Sequence, residues 1–270
     1  MEITLTYLQF HLVFTLPVLA LLWYLAPDYG TTRRWRSAVG LAILVSIAFA
    51  YTTPWGSYMI GQGVWWYGDD AVLVRALEVP LGEYLFFAIQ SLLVGFYLHW
   101  RGFDPTFDGD DLAWLPRLAG VGFGLLLLFG GLWLVTLGDS YLYLGGLIAW
   151  TGPVFIIQWV VGGGYLVRKP RPWLEAALVP AVYLWVTDRI AIGMGTWVIS
   201  TEFTTGVAVL GLPIEEMLFF LLAGVMTTSG LVLWEWVLDW NDRTGRLDRV
   251  LPDVLTETRA DVSSAGITQD

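Results

Sequence analysis

Apolar residues occur in seven long runs along this chain, separated by short polar segments. The runs cover 5–26, 36–52, 80–100, 116–137, 142–166, 173–187 with an extension, and 212–238. About twenty consecutive apolar residues are enough for a helix to cross the hydrocarbon core of a bilayer. Pro180 and Asp188 interrupt the sixth run. The pattern therefore predicts an all-α transmembrane fold of about seven helices.

The composition agrees with this fold and excludes several kinds of site. The 270 residues are 56% hydrophobic and 14% charged, whereas a soluble domain carries about 25% charged residues. Because the chain has no cysteine, it holds no disulfide, zinc-thiolate site, iron–sulfur cluster or catalytic thiol. The net charge is −10, and no basic stripe suited to nucleic acid is present. We expect neither a metal nor a cofactor.

The basic residues are distributed unevenly between the two sides that seven spans would define. One side holds most of them, namely Arg33, Arg34, Arg36, Arg101, Arg117, Arg168, Lys169, Arg171, Arg243, Arg246, Arg249 and Arg259. Only Arg75 and Arg189 fall on the other side. By the positive-inside rule, the Arg-rich side is cytoplasmic. We therefore expect a multi-pass protein of the cell membrane, with its N-terminus outside and its C-terminal tail in the cytoplasm.

Part of the sequence recurs. PLGEYLFF at 80–87 returns as PIEEMLFF at 213–220, and three further matches lie at nearly the same offset: Gly63-Val64-Trp65 with Gly195-Thr196-Trp197, Thr53 with Thr187, and Phe14–Val18 with Trp150–Val154. The matched spans are four apart, so the two copies have the same orientation in the membrane. We predict two parallel three-helix repeats, at 1–112 and 141–240, joined by a linking helix at 113–140. An acidic, partly disordered tail follows at 241–270.

The repeated octapeptide places carboxyl groups above aromatic rings. Glu83 follows Pro80 within the first turn of its predicted helix, and Glu215 and Glu216 follow Pro213 in the same way. Helical spacing puts Glu83 and Glu216 each on the same face as two aromatic residues three and four positions on: Phe86 and Phe87 for Glu83, and Phe219 and Phe220 for Glu216. A protonated carboxyl group can donate to an alkene, and ring faces stabilise the resulting cation. Desolvation favours the neutral acid, whereas the helix dipole favours the carboxylate. The depth of burial therefore decides which form the carboxyl group takes.

Each of these residues also has a purely structural interpretation. Glu83 and Glu216 could pair with Arg189 and Arg75, and the Phe pairs could serve packing alone. Trp65, Trp66, Tyr67 and Trp197 suit either an interfacial aromatic belt or a pocket wall. His11 could orient a carboxylate or relay a proton, although packing is the commoner role. Asp188 and Arg189 are typical of a local ion pair, with participation in the site as the alternative.

The two octapeptides, in a duplicated set of spans, resemble the lycopene cyclase domain family of archaea, some bacteria and fungi. The resemblance covers residues 1 to about 238. It implies a redox-neutral reaction in which a linear carotenoid end group is protonated, closes a six-membered ring and loses a proton, giving γ-carotene and then β-carotene from lycopene. It also implies catalysis by the motif carboxylates, here Glu83, Glu215 and Glu216. The partners implied are lycopene, other apolar carotenoids and membrane lipid, with no obligatory protein partner because both repeats lie in one chain.

This sequence departs from the family's pattern at one point, where Gly82 occupies the position that matches Glu215. The first repeat therefore carries one acid and the second carries two. This difference favours a single site between the repeats over two equivalent sites. The identity of the acid and of the final base, and the oligomeric state, stay open at this point.

Other functions fit the sequence less well. A retinal protein needs a lysine in its last span, whereas the only lysine, Lys169, lies in a loop. A proton-coupled transporter would place its carboxylates near the midplane. A prenyltransferase or elongase would need a second acidic motif beside Asp104, Asp108, Asp110 and Asp111, which we interpret as a solvated loop. A carotenoid hydratase would share the protonation step, so it is the alternative that sequence does not separate from a cyclase.

Overall fold

Seven long helices make up most of the chain. The computed structural model describes residues 5–27, 31–68, 70–252 and 255. The helices, numbered here in chain order, are α1 (Tyr7–Leu25), α2 (Thr31–Gln62), α3 (Leu81–Trp100), α4 (Trp114–Val135), α5 (Leu142–Arg168), α6 (Pro170–Gly193) and α7 (Ile214–Thr244). Each is long and apolar enough to cross a membrane. The predicted all-α transmembrane fold of seven helices is confirmed.

Two spans extend well beyond the apolar runs that predicted them. Helix α2 continues through Pro54 to Gln62, and α6 contains Pro180 and continues to Gly193. Membrane helices tolerate proline because neighbouring helices satisfy the backbone groups that it leaves free. Helix α1 includes a π-helical turn at His11–Thr15, and short 3₁₀ turns precede α4 and α5.

Helices α4 and α5 pack closely because small residues face each other. A Cβ atom at Gly131 would overlap the backbone of Ala149, and one at Gly124 would approach Gly152 and Ile156. Gly120 packs under the Trp159 ring. Small residues are the usual means by which membrane helices approach one another, and these three glycines allow it here.

Two short β-hairpins form the entrances to α3 and α7. The first pairs β2 (Arg75–Ala76) with β3 (Val79–Pro80), and the second pairs β5 (Ala208–Val209) with β6 (Leu212–Pro213). Both turns use two residues with positive φ, namely Leu77 and Glu78 in the first hairpin and Leu210 and Gly211 in the second. Pro80 and Pro213 are the N-cap residues of the helices that follow, one position before the first turn that the sequence predicted.

A third pair of strands joins the two halves of the chain at the same end. Strand β1 (Trp65–Tyr67) pairs antiparallel with β4 (Trp197–Ile199), so that Tyr67 lies opposite Trp197. The N–H of Tyr7 donates to the carbonyl oxygen of Ala71 over 3.0 Å, which fixes the start of α1 beneath the strands. The N-terminal ends of α1, α3 and α7 therefore meet under one small cap.

The opposite end carries ion pairs between helices and loops. Arg36 pairs with Asp242 at 2.6 Å. Arg168 pairs with Asp108 at 3.2 Å and with Asp111 at 3.1 Å. Asp111 is fully buried and also accepts from the indole N–H of Trp236. The prediction of a solvated acidic loop is therefore wrong for Asp111, whose carboxylate fastens the loop to α5 and α7.

The predicted tail begins too early, at 241, because α7 continues to Thr244. Its helix ends with Gly245 in the left-handed conformation. Residues 253, 254 and 256–270 of the predicted disordered tail lie outside the described residues.

Candidate active site

A cavity of about 50 Å³ lies beneath the strands, where the two halves of the chain meet. Ten of its lining residues are aromatic, namely Tyr7, Phe10, Trp55, Trp65, Tyr67, Phe86, Tyr143, Trp197, Phe219 and Phe220. Three more carry carboxyl groups: Glu83 from α3, Asp188 from α6 and Glu216 from α7. None of the described residues that line it is Lys, Arg or His. The cavity therefore combines three acids with aromatic walls and no cationic partner.

Glu83 is held by two tyrosines from different elements. Its Oε2 accepts from the hydroxyl of Tyr7 at 2.9 Å and from the hydroxyl of Tyr67 at 2.8 Å. The Tyr67 oxygen in turn accepts from the indole N–H of Trp65 at 3.0 Å. Burial, together with the Glu83 carboxylate, raises the pKa of Tyr67 well above its ordinary value. Tyr67 therefore keeps its proton and acts as a donor throughout the physiological pH range.

Glu216 has a single hydroxyl partner from another helix. Its Oε1 accepts from the hydroxyl of Tyr143, on α5, at 2.7 Å. Both side chains are buried, since the relative exposure is 6% for Glu216 and 2% for Tyr143. An aromatic cluster lies one turn further along α7, where the Phe219 ring stacks on Trp55 at 5.8 Å and meets Phe220 at 5.3 Å. Glu216 therefore stands at the edge of a ring-lined space.

Asp188 is the third acid of the cavity. Its Oδ1 accepts from the indole N–H of Trp197 at 2.7 Å, and its buried Oδ2 has no hydrogen-bond partner. The predicted local ion pair with Arg189 is absent from the described residues, because the Arg189 guanidinium donates to the carbonyl oxygen of Leu210 instead. The alternative interpretation, in which Asp188 belongs to the site, therefore fits the structure.

Glu215 has a different environment from the three acids of the cavity. Its Oε1 accepts from both the backbone N–H and the hydroxyl of Thr205, at 2.8 and 2.7 Å, and it does not line the cavity. Gly82 stands at the matching position of the first repeat. A larger residue would not fit there, since a Cβ atom would overlap the Tyr7 ring. The difference between the two octapeptides thus makes room for the tyrosine that holds Glu83.

The structure separates several other predicted residues from the cavity. Phe87 lines a neighbouring groove instead, and Trp66 is 48% exposed on the outer side of its strand. Arg189 is exposed, and its guanidinium donates to the carbonyl oxygen of Leu210 in the turn of the second hairpin. No ion pair between described residues joins Glu83 or Glu216 to Arg189 or Arg75. The purely structural role considered for the two Glu residues, as partners of these arginines, is therefore not observed.

His11 supports the site from behind. Its Nε2 lies 2.8 Å from the carbonyl oxygen of Gly82 and its Nδ1 lies 3.0 Å from Oγ1 of Thr15. The ring stacks on Tyr7 with centroids 4.9 Å apart. With both nitrogens partnered and no carboxyl contact, His11 has the packing role, and it fixes the position of Tyr7.

Sequence reasoning missed two site residues, one tyrosine on the first helix of each half. Tyr7 and Tyr143 are separated by the same 136 residues that separate Phe14–Val18 from Trp150–Val154, and each donates to the motif Glu of its own half. The signal was present in the repeat but lay outside the matched segments. Trp55, inside α2 next to Pro54, had no comparable signal.

The donor set gives no indication of a metal centre. Within the described part of the chain, no group of three or more His, Asp or Glu side chains is arranged to hold a metal ion. The three carboxyl groups of the cavity instead accept hydrogen bonds from hydroxyl and indole groups. Such an arrangement suits proton transfer.

Comparison with known proteins identifies relatives over most of the chain. The family model described as Lycopene cyclase matches residues 4–100 and 140–234. A lycopene beta-cyclase of Halobacterium salinarum is 44% identical over 207 residues, which is 74% of this chain and 84% of that protein. A bifunctional lycopene cyclase/phytoene synthase of Phycomyces blakesleeanus is 35% identical over 231 residues, 81% of this chain and 37% of that protein.

A similar bifunctional protein of Blakeslea trispora is 36% identical over 229 residues, again 81% of this chain and 37% of that protein. No solved structure matches the chain. Since the family model and the Halobacterium relative both extend over most of its length, this chain belongs to the lycopene cyclase family.

Proposed function

We propose that this protein is a lycopene β-cyclase, an enzyme that closes the two linear ends of lycopene into β-rings without any net redox change. The observation that carries the proposal is the aromatic cavity, in which two buried carboxyl groups, Asp188 and Glu216, and the partly buried Glu83 meet without a cation among the described lining residues. Membership of the lycopene cyclase family supports the substrate. The order of products would be γ-carotene, with one ring, and then β-carotene, with two.

Glu216 is the proposed acid. It receives one hydroxyl hydrogen bond, whereas Glu83 receives two, and hydroxyl donors stabilise the carboxylate form. Protonation therefore costs Glu216 less hydrogen-bond stabilisation than it costs Glu83. Its carboxyl group would transfer that proton to the terminal double bond of the substrate, and the resulting tertiary cation would be attacked by the next suitably placed double bond to form the ring.

Glu83 and Asp188 are the proposed bases. After ring closure the positive charge lies on a ring carbon, and loss of a neighbouring proton gives the new double bond. Asp188 has a free carboxyl oxygen, Oδ2, for this proton, and Glu83 faces the same cavity. One proton is gained and one is lost, so the substrate and product have the same mass. The base then releases its proton to solvent, and the acid takes up a new proton from solvent.

The walls of the cavity would protect the cation. The Phe219 ring lies 5.8 Å from the Trp55 ring and 6.3 Å from the Phe86 ring, and ring faces stabilise positive charge. Exclusion of water prevents capture of the cation before the proton is lost. Glu215 has a supporting part here, because its bond to Thr205 anchors the loop that enters α7.

The duplication remains part of the proposal. The two hairpins, the two entrance prolines and the two Tyr–Glu pairs recur at nearly constant offset, which supports the repeats at 1–112 and 141–240 with a linking helix between them. Because both halves contribute to one cavity, a single chain would suffice without an obligatory protein partner. The concentration of arginines at the other end supports an extracytoplasmic site and a cytoplasmic tail.

The proposal is tested by expressing the chain in bacteria that make lycopene and analysing the pigment. We expect β-carotene, with γ-carotene as an intermediate, both of the same mass as lycopene. A product heavier by one water would identify a hydratase, and one heavier by a C5 unit would identify an elongase. Either outcome, or unchanged lycopene in cells that contain the folded protein, would contradict the proposal.

A further inference from the structure

A second and larger space lies directly behind the cavity. It is a groove of about 450 Å³ between α2, α5 and α7, with α3 as its floor. Residues on its rim are open to the surroundings: Ile47 is 50% exposed and Ile157 is 65% exposed. Because these helices cross the membrane, the groove opens sideways toward lipid.

The surface of the groove is chemically uniform. No charged residue is among the described residues that line it. Two of its polar side chains donate to backbone carbonyl oxygens of neighbouring helices: the Tyr51 hydroxyl donates to Trp150 at 2.7 Å, and Gln158 Nε2 donates to Met226 at 2.7 Å. Since these donors are already used, and the unpartnered indole N–H of Trp150 is itself buried, the groove offers mainly hydrocarbon and ring surface to a ligand.

The groove and the cavity share a wall one ring thick. Phe219 lines both spaces. Its ring stacks on Trp55, which lines the cavity, and lies 6.4 Å from Trp150, which lines the groove. Trp55 and Trp150 stack on each other at 5.1 Å. A movement of the Phe219 ring would therefore join the two spaces without moving a helix.

The dimensions favour a long, straight occupant. Along α7 the lining runs from Phe219 to Val237, which at about 1.5 Å per residue is about 27 Å. This length is close to the hydrocarbon thickness of a bilayer, about 30 Å. The cavity itself, at about 50 Å³, has about a ninth of the volume of the groove, at about 450 Å³. It must widen to admit even an end group.

We propose that the groove binds the polyene chain of a linear carotenoid, and that Phe219 is the gate through which its end group enters the acid cavity. This inference rests on the proposed function. The substrate enters sideways from the lipid and lies along the membrane normal. One end reaches the carboxyl groups while the rest of the chain stays in the groove, so the two ends are cyclised in separate binding events.

The test compares two variants of the same helix. Ala48 lines the groove, and Ala42 is exposed on another face of α2. We expect Ala48→Phe to raise the KM for lycopene at least about tenfold, with a kcat close to that of Ala42→Phe. If both variants cyclise lycopene with the KM of the unchanged protein, the groove is occupied by lipid alone and the inference is overturned, while the proposed function stands.

A binding measurement serves if Ala48→Phe does not fold. The chain has no cysteine, so a single fluorophore can be attached at Ile157→Cys on the groove rim or at Leu126→Cys on α4, whose side chains are 65% and 66% exposed. Lycopene absorbs visible light, so we expect it to quench the fluorophore at 157 more strongly than at 126. Equal quenching at both positions would contradict a specific site. No binding together with no cyclised product would instead count against the proposed function.

Discussion

At the scale of residues, the central feature is the pairing of each motif Glu with a tyrosine from the first helix of its own half. Tyr7 donates to Glu83 and Tyr143 donates to Glu216. The pairs differ in one respect, because Tyr67 adds a second donor to Glu83. This asymmetry is the physical basis for assigning the acid role to Glu216 and the base role to Glu83.

Replacing either carboxyl group by an amide tests these roles. Glu216→Gln and Glu83→Gln keep the size of the side chain but remove proton transfer, which contributes about 10²–10⁴-fold to a rate. We expect each to lower the conversion of lycopene at least about a hundredfold at equal protein level. Glu235→Gln is the control, since Glu235 lies on α7 but accepts from Ser37 outside the cavity. If Glu216→Gln and Glu83→Gln both cyclise like this control, the carboxyl mechanism is wrong.

Gly82 gives a second test at this scale. In Gly82→Ala the new methyl group would overlap the Tyr7 ring and push its hydroxyl away from Glu83. We expect this variant to lose at least as much activity as Tyr7→Phe. The matched control is Gly122→Ala on α4, where the methyl group meets open space. Equal activity of the two alanine variants would show that the position of Tyr7 does not matter.

At the scale of elements, the two hairpins set the height at which α3 and α7 begin. Both turns place residues in the left-handed region, but the first uses Glu78 with φ 65° where the second uses Gly211 with φ 80°. A side chain in this region costs roughly 1–2 kcal/mol. The first hairpin therefore carries strain that the second avoids.

This difference predicts opposite effects on stability. Glu78→Gly removes the strain at some cost in chain entropy, so we expect the free energy of unfolding to rise by up to about 1 kcal/mol. Gly211→Ala should lower it, because the methyl group also lies 2.8 Å from Nε of Arg189. Melting temperatures in detergent measure both effects. A lower melting temperature for Glu78→Gly would contradict the account of the turn.

The elements also show how far sequence patterns reach in this protein. Seven apolar runs were enough to predict seven spans, because burial in lipid demands unbroken helices. The repeat brought Glu83, Glu216, Phe86, Phe219 and Phe220 together as candidates. The roles of Trp55 and Asp188 depend on how α2 and α6 continue beyond their prolines, which no local pattern encodes. Trp66 and Phe87 failed as cavity residues because adjacent positions on a strand or helix face different ways.

At the scale of the whole molecule, the charge distribution predicts an orientation. The end with the cavity is poor in cations, and the opposite end holds the ion pairs of Arg36 and Arg168. Single cysteines test this, since the natural chain has none. We expect a membrane-impermeant thiol reagent to label Asp139→Cys in intact cells, and Arg249→Cys only after lysis. The reverse pattern would place the cavity on the cytoplasmic side.

The central claim is that a carboxyl group of the cavity protonates lycopene and that another group removes a different proton. The most direct measurement supplies unlabelled lycopene to membranes containing the protein in D₂O and determines the mass of the products. Carboxyl protons exchange with solvent, so the account predicts one deuterium per ring: one in γ-carotene and two in β-carotene. Rings formed without deuterium would contradict it.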